Sequence, residues 1–250
     1  MRAYATLVRR ELGAFFVSWT GYVILAAVTF LIGFSFVLLL KSLRGEATAV
    51  PLTQLFYDYL SFWFILIILA PVITMRSFAL EKASGTYETL MTTPVGDMQV
   101  VLAKFTAALL FHMIIWLPLL PCLILVRHYT SDPSAFTPGA VGSTYLGILL
   151  LGSVYMAMGV FASAITRSQI SAAMVSLVAG FTLFMCSFLG AIFPTQTSGL
   201  GMFVSYVSVM DHMRDFAQGV VDLRPVMFYV SLTILFLLLT WKVVESRRWK

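Results

Sequence analysis

The chain has 250 residues, 60% of them hydrophobic and only 11% charged, with a formal net charge of +5. A soluble domain carries about 25% charged residues, so the composition excludes a globule covered by water and points to lipid as the solvent. The basic residues gather at the ends of apolar runs, which argues for membrane orientation and against nucleic acid as a partner.

The N-terminal segment places Tyr4, Leu7, Val8, Leu12, Phe15 and Trp19 at helical spacing. This predicts a helix lying in the membrane interface, with Arg9 and Arg10 facing anionic headgroups. The apolar run from Thr20 to Leu40 exceeds a signal-peptide core and ends at Lys41 without a small-residue cleavage site, so it reads as a retained first span. Five further spans follow, and the six are predicted at about 20–40, 56–75, 102–126, 142–165, 170–193 and 225–243. The expected fold is a single all-α transmembrane domain covering 1–250.

Between the second and third spans lies Ala79-Leu-Glu-Lys-Ala-Ser-Gly-Thr-Tyr-Glu-Thr-Leu-Met-Thr-Thr-Pro94. Leu80, Ala83, Tyr87, Leu90 and Met91 fall on one helical face, with Glu81, Lys82, Glu88, Thr89 and Thr92 mostly on the other. An amphipathic helix over about 79–93, stopped by Pro94, is expected. Gly85 weakens it by about 1 kcal/mol relative to alanine, which suggests close approach of another backbone. Periodicity leaves two roles open, a solvated loop or a docking surface for a partner.

Within the spans, His112 is the exceptional ionisable group. A proton path would need an acidic companion in a span, and none is visible, so a hydrogen bond between helices is the reading preferred. Pro118 and Pro121 are expected to bend the third span near its outer end. Cys122 and Cys186 sit inside apolar runs and read as small core residues. Ala172, Ser176 and Gly180, and likewise Gly159 and Ser163, recur every four residues and let helices approach closely. Segment 194–224, with Phe203, Tyr206, Val207, Met210, Met213, Phe216 and Ala217 at helical spacing, predicts an outer amphipathic element that caps or gates the bundle.

Orientation follows from charge. With both termini cytoplasmic, eleven of the 16 Lys and Arg lie inside, and only Lys41, Arg44, Arg127, Arg214 and Arg224 lie outside. The chain lacks a G-x-x-x-x-G-K-[ST] phosphate loop, an H-E-x-x-H zinc motif and a G-x-S-x-G elbow. It shows no energy source of its own.

Several strings resemble the permease subunits of ABC-2 type exporters. Arg9–Val23 is similar to the segment leading into their first span. Arg76, Glu81-Lys82, Gly85-Thr86, Glu88, Leu90, Thr93-Pro94 and Lys104 match the pattern of their first cytoplasmic loop, and Phe216–Thr233 with Glu245–Trp249 resemble their C-terminal part. The likeness is greatest to the gliding-motility-associated and copper-maturation-type permeases. The resemblance implies a non-enzymatic subunit in a bacterial-type cytoplasmic (inner) membrane. It would pair with a second permease copy or paralogue and with cytoplasmic P-loop ATPase subunits that bind ATP and magnesium. This chain itself would hold no cofactor or metal and have no catalytic residue. The loop residues Glu81, Lys82, Gly85, Thr86, Glu88, Thr89 and Leu90 would then contact the ATPase. The competing reading is an ATP-independent carrier or a scaffold subunit. The transported substrate is not legible.

Overall fold

A computed structural model describes residues 2–42, 52–87, 95–130, 138–189 and 206–246. All the described elements are helices: α1 (Arg2–Val17), α2 (Trp19–Ser42), α3 (Leu52–Asp58), α4 (Leu60–Thr74), α5 (Ala79–Ala83), α6 (Asp97–Trp116), α7 (Leu119–Thr130), α8 (Pro138–Ile165), α9 (Gln169–Cys186), α10 (Val209–Ala217) and α11 (Leu223–Ser246). Six stretches are long and apolar enough to cross a membrane: Trp19–Lys41, Leu60–Ala83, Asp97–Leu125, Pro138–Ile165, Gln169–Cys186 and Leu223–Ser246. The protein is a multi-pass membrane protein. Helices dominate because a spanning segment must satisfy its own backbone groups in lipid.

The expected breaks and two unexpected ones have physical causes. The third span divides between α6 and α7 at Leu117-Pro118, where proline removes a backbone donor. The second span begins within α3 and breaks at Tyr59, which is extended (φ −77, ψ 130). The Trp63 indole closes this break by donating to the Tyr57 carbonyl at 3.0 Å. At the start of the chain, α1 turns into α2 at Ser18. A side chain on Gly21 would meet the Phe15 carbonyl oxygen at 1.9 Å, so only glycine allows this tight joint.

Helix α8 is the centre of the bundle. Of its apolar window 72% is buried, against 22% in α9 and in α11, whose flanks therefore face outward. It packs on α4, α6, α9, α10 and α11. Small residues set these distances, as their spacing predicted. Gly159 lies against Thr74 of α4, and Gly180 of α9 lies under the Tyr155 ring, whose hydroxyl donates to the Gly180 carbonyl at 3.0 Å. Ala172 and Ser176 are buried on the same face of α9. His112 is fully buried between α6 and α8. Its ring fills the space over Gly152, where a Cβ would come within 2.4 Å of Nε2. The Ile148 carbonyl is its polar neighbour, but neither ring nitrogen meets a described group in good hydrogen-bond geometry. The Ile148 carbonyl of α8 is thus the partner for the expected inter-helix contact, in imperfect geometry, and packing over Gly152 holds the ring in place. Cys122 and Cys186 are free and half-buried.

The two ends of the bundle differ. At one end Leu7, Phe78, Val101, Val160, Ala164 and Val244 share an apolar cluster, so the start of α1 and the end of α11 lie together. Helix α1 packs along α6 through Phe15 stacked on Phe111 (4.5 Å between centroids) and a 2.7 Å hydrogen bond between the Tyr4 and Thr106 hydroxyls. Its Arg9 and Arg10 remain exposed. The far end is closed by α3 and α10. Arg214 pairs with Asp58 at 2.7 Å, Thr53 donates to the Ala217 carbonyl at 2.8 Å, and Ser143 of α8 donates to the Phe216 carbonyl at 2.5 Å. Within the described part of 194–224 the amphipathic helix is therefore short, and it is held down as a cap; 194–205, including Phe203, lies outside the described residues.

Two outcomes test this packing. Gly159→Ala drives a Cβ into the Thr74 side chain and should cost about 1–3 kcal/mol, whereas Gly33→Ala, with nothing within 4 Å, should be neutral or stabilising by up to about 1 kcal/mol. Thermal unfolding in detergent reads both. Burial lowers His212 below 6.5, opposed by Asp211 and Asp222, which raise it. The unfolded chain takes up this proton before the folded one, so stability should fall as pH drops from about 7 to about 5. Unfolding midpoints across that range should lose this slope in His212→Gln.

Candidate functional site

The segment after α4 is built around one hydroxyl. Ser163 Oγ, near the end of α8, accepts from the Phe78 and Ala79 backbone N–H groups at 2.9 Å each and donates to the Met75 carbonyl at 3.1 Å. Phe78 occupies the N-cap position of α5 and has no side-chain cap of its own. Ser163 supplies that cap from another helix. Sequence spacing marks Ser163 only as a small residue, so this role was missed.

Lys82 reaches the other way. Its ammonium donates to the Ala164 carbonyl and, at 3.4 Å, to the Thr166 carbonyl. These carbonyls end α8, where a cation is favoured by the helix dipole. Glu81 points to α6 and meets Lys104 at 2.7 Å. Lys104 also lies 3.3 Å from Glu11 of α1, which Arg10 pairs at 2.6 Å, and Arg10 stands 3.8 Å from Glu81. The Lys104 side chain is only 2% exposed and its ammonium lies 5.2 Å over the Phe78 ring. Two carboxylates offset the desolvation of that ammonium. The hydrogen bond to Glu11, with Glu81 nearby, raises Arg10 against the opposing effect of burial.

Helix α5 then stops. Gly85 adopts φ +73, the left-handed conformation that ends helices. The Ser84 N–H donates to the Leu80 carbonyl at 2.9 Å, and the Ser84 hydroxyl donates to the Glu81 carbonyl at 3.3 Å. The continuous helix expected over 79–93 is thus interrupted after Ala83. Among the described residues a Cβ on Gly85 would meet nothing within 4 Å, and it is the turn that requires the glycine. The expected face is reversed in its first turn, where Leu80 and Ala83 are exposed while Glu81 and Lys82 turn into the bundle; Tyr87 packs by Phe78 as its apolar position predicted, and Leu90 and Met91 lie outside the described residues. Of the loop residues expected at a partner contact, Glu81 and Lys82 make internal bonds, Gly85 and Thr86 are exposed, and Glu88, Thr89 and Leu90 lie outside the described residues.

The arrangement is mechanical in kind. A short exposed element is tied at separate points to α1, α6 and α8. Among the described residues no three His, Cys, Asp or Glu side chains converge as metal ligands. Arg10, Glu11 and Ser163 are the members that sequence reasoning did not assign. Glu11 sits beside Arg10, where an unexplained acid in a basic interfacial helix was the available signal.

The family model described as "ABC-2 family transporter protein" matches residues 7–245. No curated protein matches the chain.

Removing the buried ammonium should be costly. Lys104→Met leaves Glu11 and Glu81 facing each other and should destabilise by about 3 kcal/mol. Adding Glu81→Gln should recover part of the loss, read as a positive coupling in a double-mutant cycle of thermal unfolding. Ser163→Ala should cost about 1 kcal/mol.

Proposed function

We propose a function on one premise: the chain belongs to the ABC-2 transporter family and is the permease component of an ABC transporter. Permeases of this family work with a separate ABC ATPase subunit. We infer that the loop around α5 receives the ATPase, and that its ties carry motion into the bundle. The observation that carries this reading is the loop's two-sidedness. Leu80 and Ala83 to Thr86 are exposed, while Ser163, Lys82 and Glu81 fasten the same segment to α8 and α6.

In this reading the termini and the loop face the cytoplasm of a bacterial-type inner membrane, as the excess of Lys and Arg on that side supports. Closure of the ATPase pair around ATP and magnesium displaces α5. Displacement shifts α4 through its short turn, α6 through Glu81–Lys104, and α8 through Ser163. ATP moves this equilibrium only by favouring one arrangement over the other through the ATPase contact. A second copy of the chain or a paralogue completes the pathway, with the outward flanks of α9 and α11 available to it or to lipid. The loop and N-terminal strings support a place among gliding-motility-associated or copper-maturation-type permeases.

The test is purification from the native membrane in mild detergent with assay of ATP hydrolysis. A P-loop subunit should come with the chain. Thr86→Pro or Glu88→Lys should leave insertion intact and lower coupled hydrolysis by at least about fivefold, the scale of ordinary coupling energies. Recovery of the chain without an ATPase, even after crosslinking at Thr89, would replace this reading with a carrier or scaffold.

A further inference from the structure

Two cavities join along the first and second spans. The first, of about 820 Å³, opens beside the charged junction, between α1, the start of α2 and the end of α4. Arg10, Arg76, Thr20 and Trp19 stand at its rim, and Phe15, Ile24 and Val72 line its apolar depth. The second, of about 500 Å³, is a cleft between α2 and α4 running from Ile24 to Leu38. Ile24 and Val72 belong to both, so the polar mouth continues into the apolar cleft.

The cleft has a floor of buried Val28, Ser35, Ile65 and Leu69 and exposed walls at Leu31, Phe64 and Ile68. It is open sideways. From Ile24 to Leu38 a helix rises about 21 Å, longer than the roughly 15 Å of hydrocarbon in one leaflet. A cleft of this length, open sideways and lined almost wholly by apolar side chains, suits an alkyl chain.

The mouth selects the headgroup. Arg76 is exposed, its guanidinium donates to the Thr20 hydroxyl at 3.0 Å, and no carboxylate pairs with it among the described residues. The other rim charges are Arg10 and Lys104 against Glu11 and Glu81, which balance each other. The net excess at the mouth is therefore the Arg76 charge. Trp19, 86% exposed beside it, is the residue type that settles at headgroup level.

We propose that this groove binds one acidic phospholipid from the leaflet at the termini-bearing end. Its phosphate sits against Arg76 and the Thr20 hydroxyl, with Arg10 across the mouth, and one acyl chain lies between α2 and α4. The site borders the proposed ATPase contact, since Leu80 and Thr86 also line the first cavity, but it is read without ATP, so its failure would leave the coupling proposal standing.

The experiment uses the full chain in mild detergent, washed free of loose lipid, with native mass spectrometry and thermal unfolding. Phosphatidylglycerol and phosphatidylcholine are the probes. The expected result is one phosphatidylglycerol retained per chain and a larger rise in unfolding midpoint with it than with phosphatidylcholine. Arg76→Gln should abolish the preference, and Arg224→Gln, at the far end, should keep it. Ile68→Trp, on an exposed wall, should lower retention of both lipids while helicity by circular dichroism stays unchanged. Equal retention of the two lipids by the unaltered chain, or an Arg76→Gln variant that keeps the preference, would overturn the proposal. So would a lipid-free chain whose cleft is closed by a second copy.

Discussion

Three backbone groups at the turn after α4 converge on the Ser163 hydroxyl, and the rest of the termini-bearing end depends on that convergence. The N–H groups of Phe78 and Ala79 and the carbonyl of Met75 are exposed wherever a helix ends. Buried beside apolar residues, each would cost free energy if left unpaired. One side chain with two acceptor sites and one donor satisfies all three. The consequence is positional: α5 is fixed to α8, the most buried helix, and not merely attached to the α4 that precedes it in the chain.

The charged junction works from the same fixed point. Because α5 is fixed, Glu81 is held where Lys104 can reach it, and the Lys104 ammonium can stay buried at the base of α6. Glu11 adds a second carboxylate from α1, so the interfacial helix joins the arrangement through charge as well as through the Phe15–Phe111 stack. Of the four charges only Lys104 is fully buried, so the coupling is tightest through its ammonium and weakens toward the exposed Arg10. A displacement of any one of α1, α5 or α6 is felt by the other two. That property fits the proposed coupling role, and the internal ties distinguish the segment from a connection held only by solvent.

Much of the architecture was legible. Apolar run length located six spans, because lipid thickness sets a length that composition cannot hide. Pro118 announced the division of α6 from α7, and spacing by four on α9 announced its buried face. The break at Tyr59 was not legible, since no proline or glycine marks it and the bond that closes it comes from an indole, Trp63, that reads as one more apolar residue of the span. The loop was misread in two ways. Periodicity assumed that Glu81 and Lys82 would seek water, whereas a buried lysine and the free carbonyls of α8 offered better partners. Gly85 was read for what it lacks in size, whereas its left-handed backbone was what mattered. The first error concerns partners distant in sequence, which a single chain's pattern does not display; the second concerns a local backbone choice that glycine leaves open.

The filling of the core has a last consequence. Trp63, Trp116, Tyr155, Phe62 and Phe111 are fully buried around α8, and α3 and α10 seal the far end over them. Among the described residues these close-packed aromatic rings leave no continuous lane for a solute along the bundle axis. Under the proposed permease role, the passenger travels along the protein's outer flank, between this chain and whatever stands next to it. In that role a subunit built this way acts as one wall of a corridor, with a neighbour making the other.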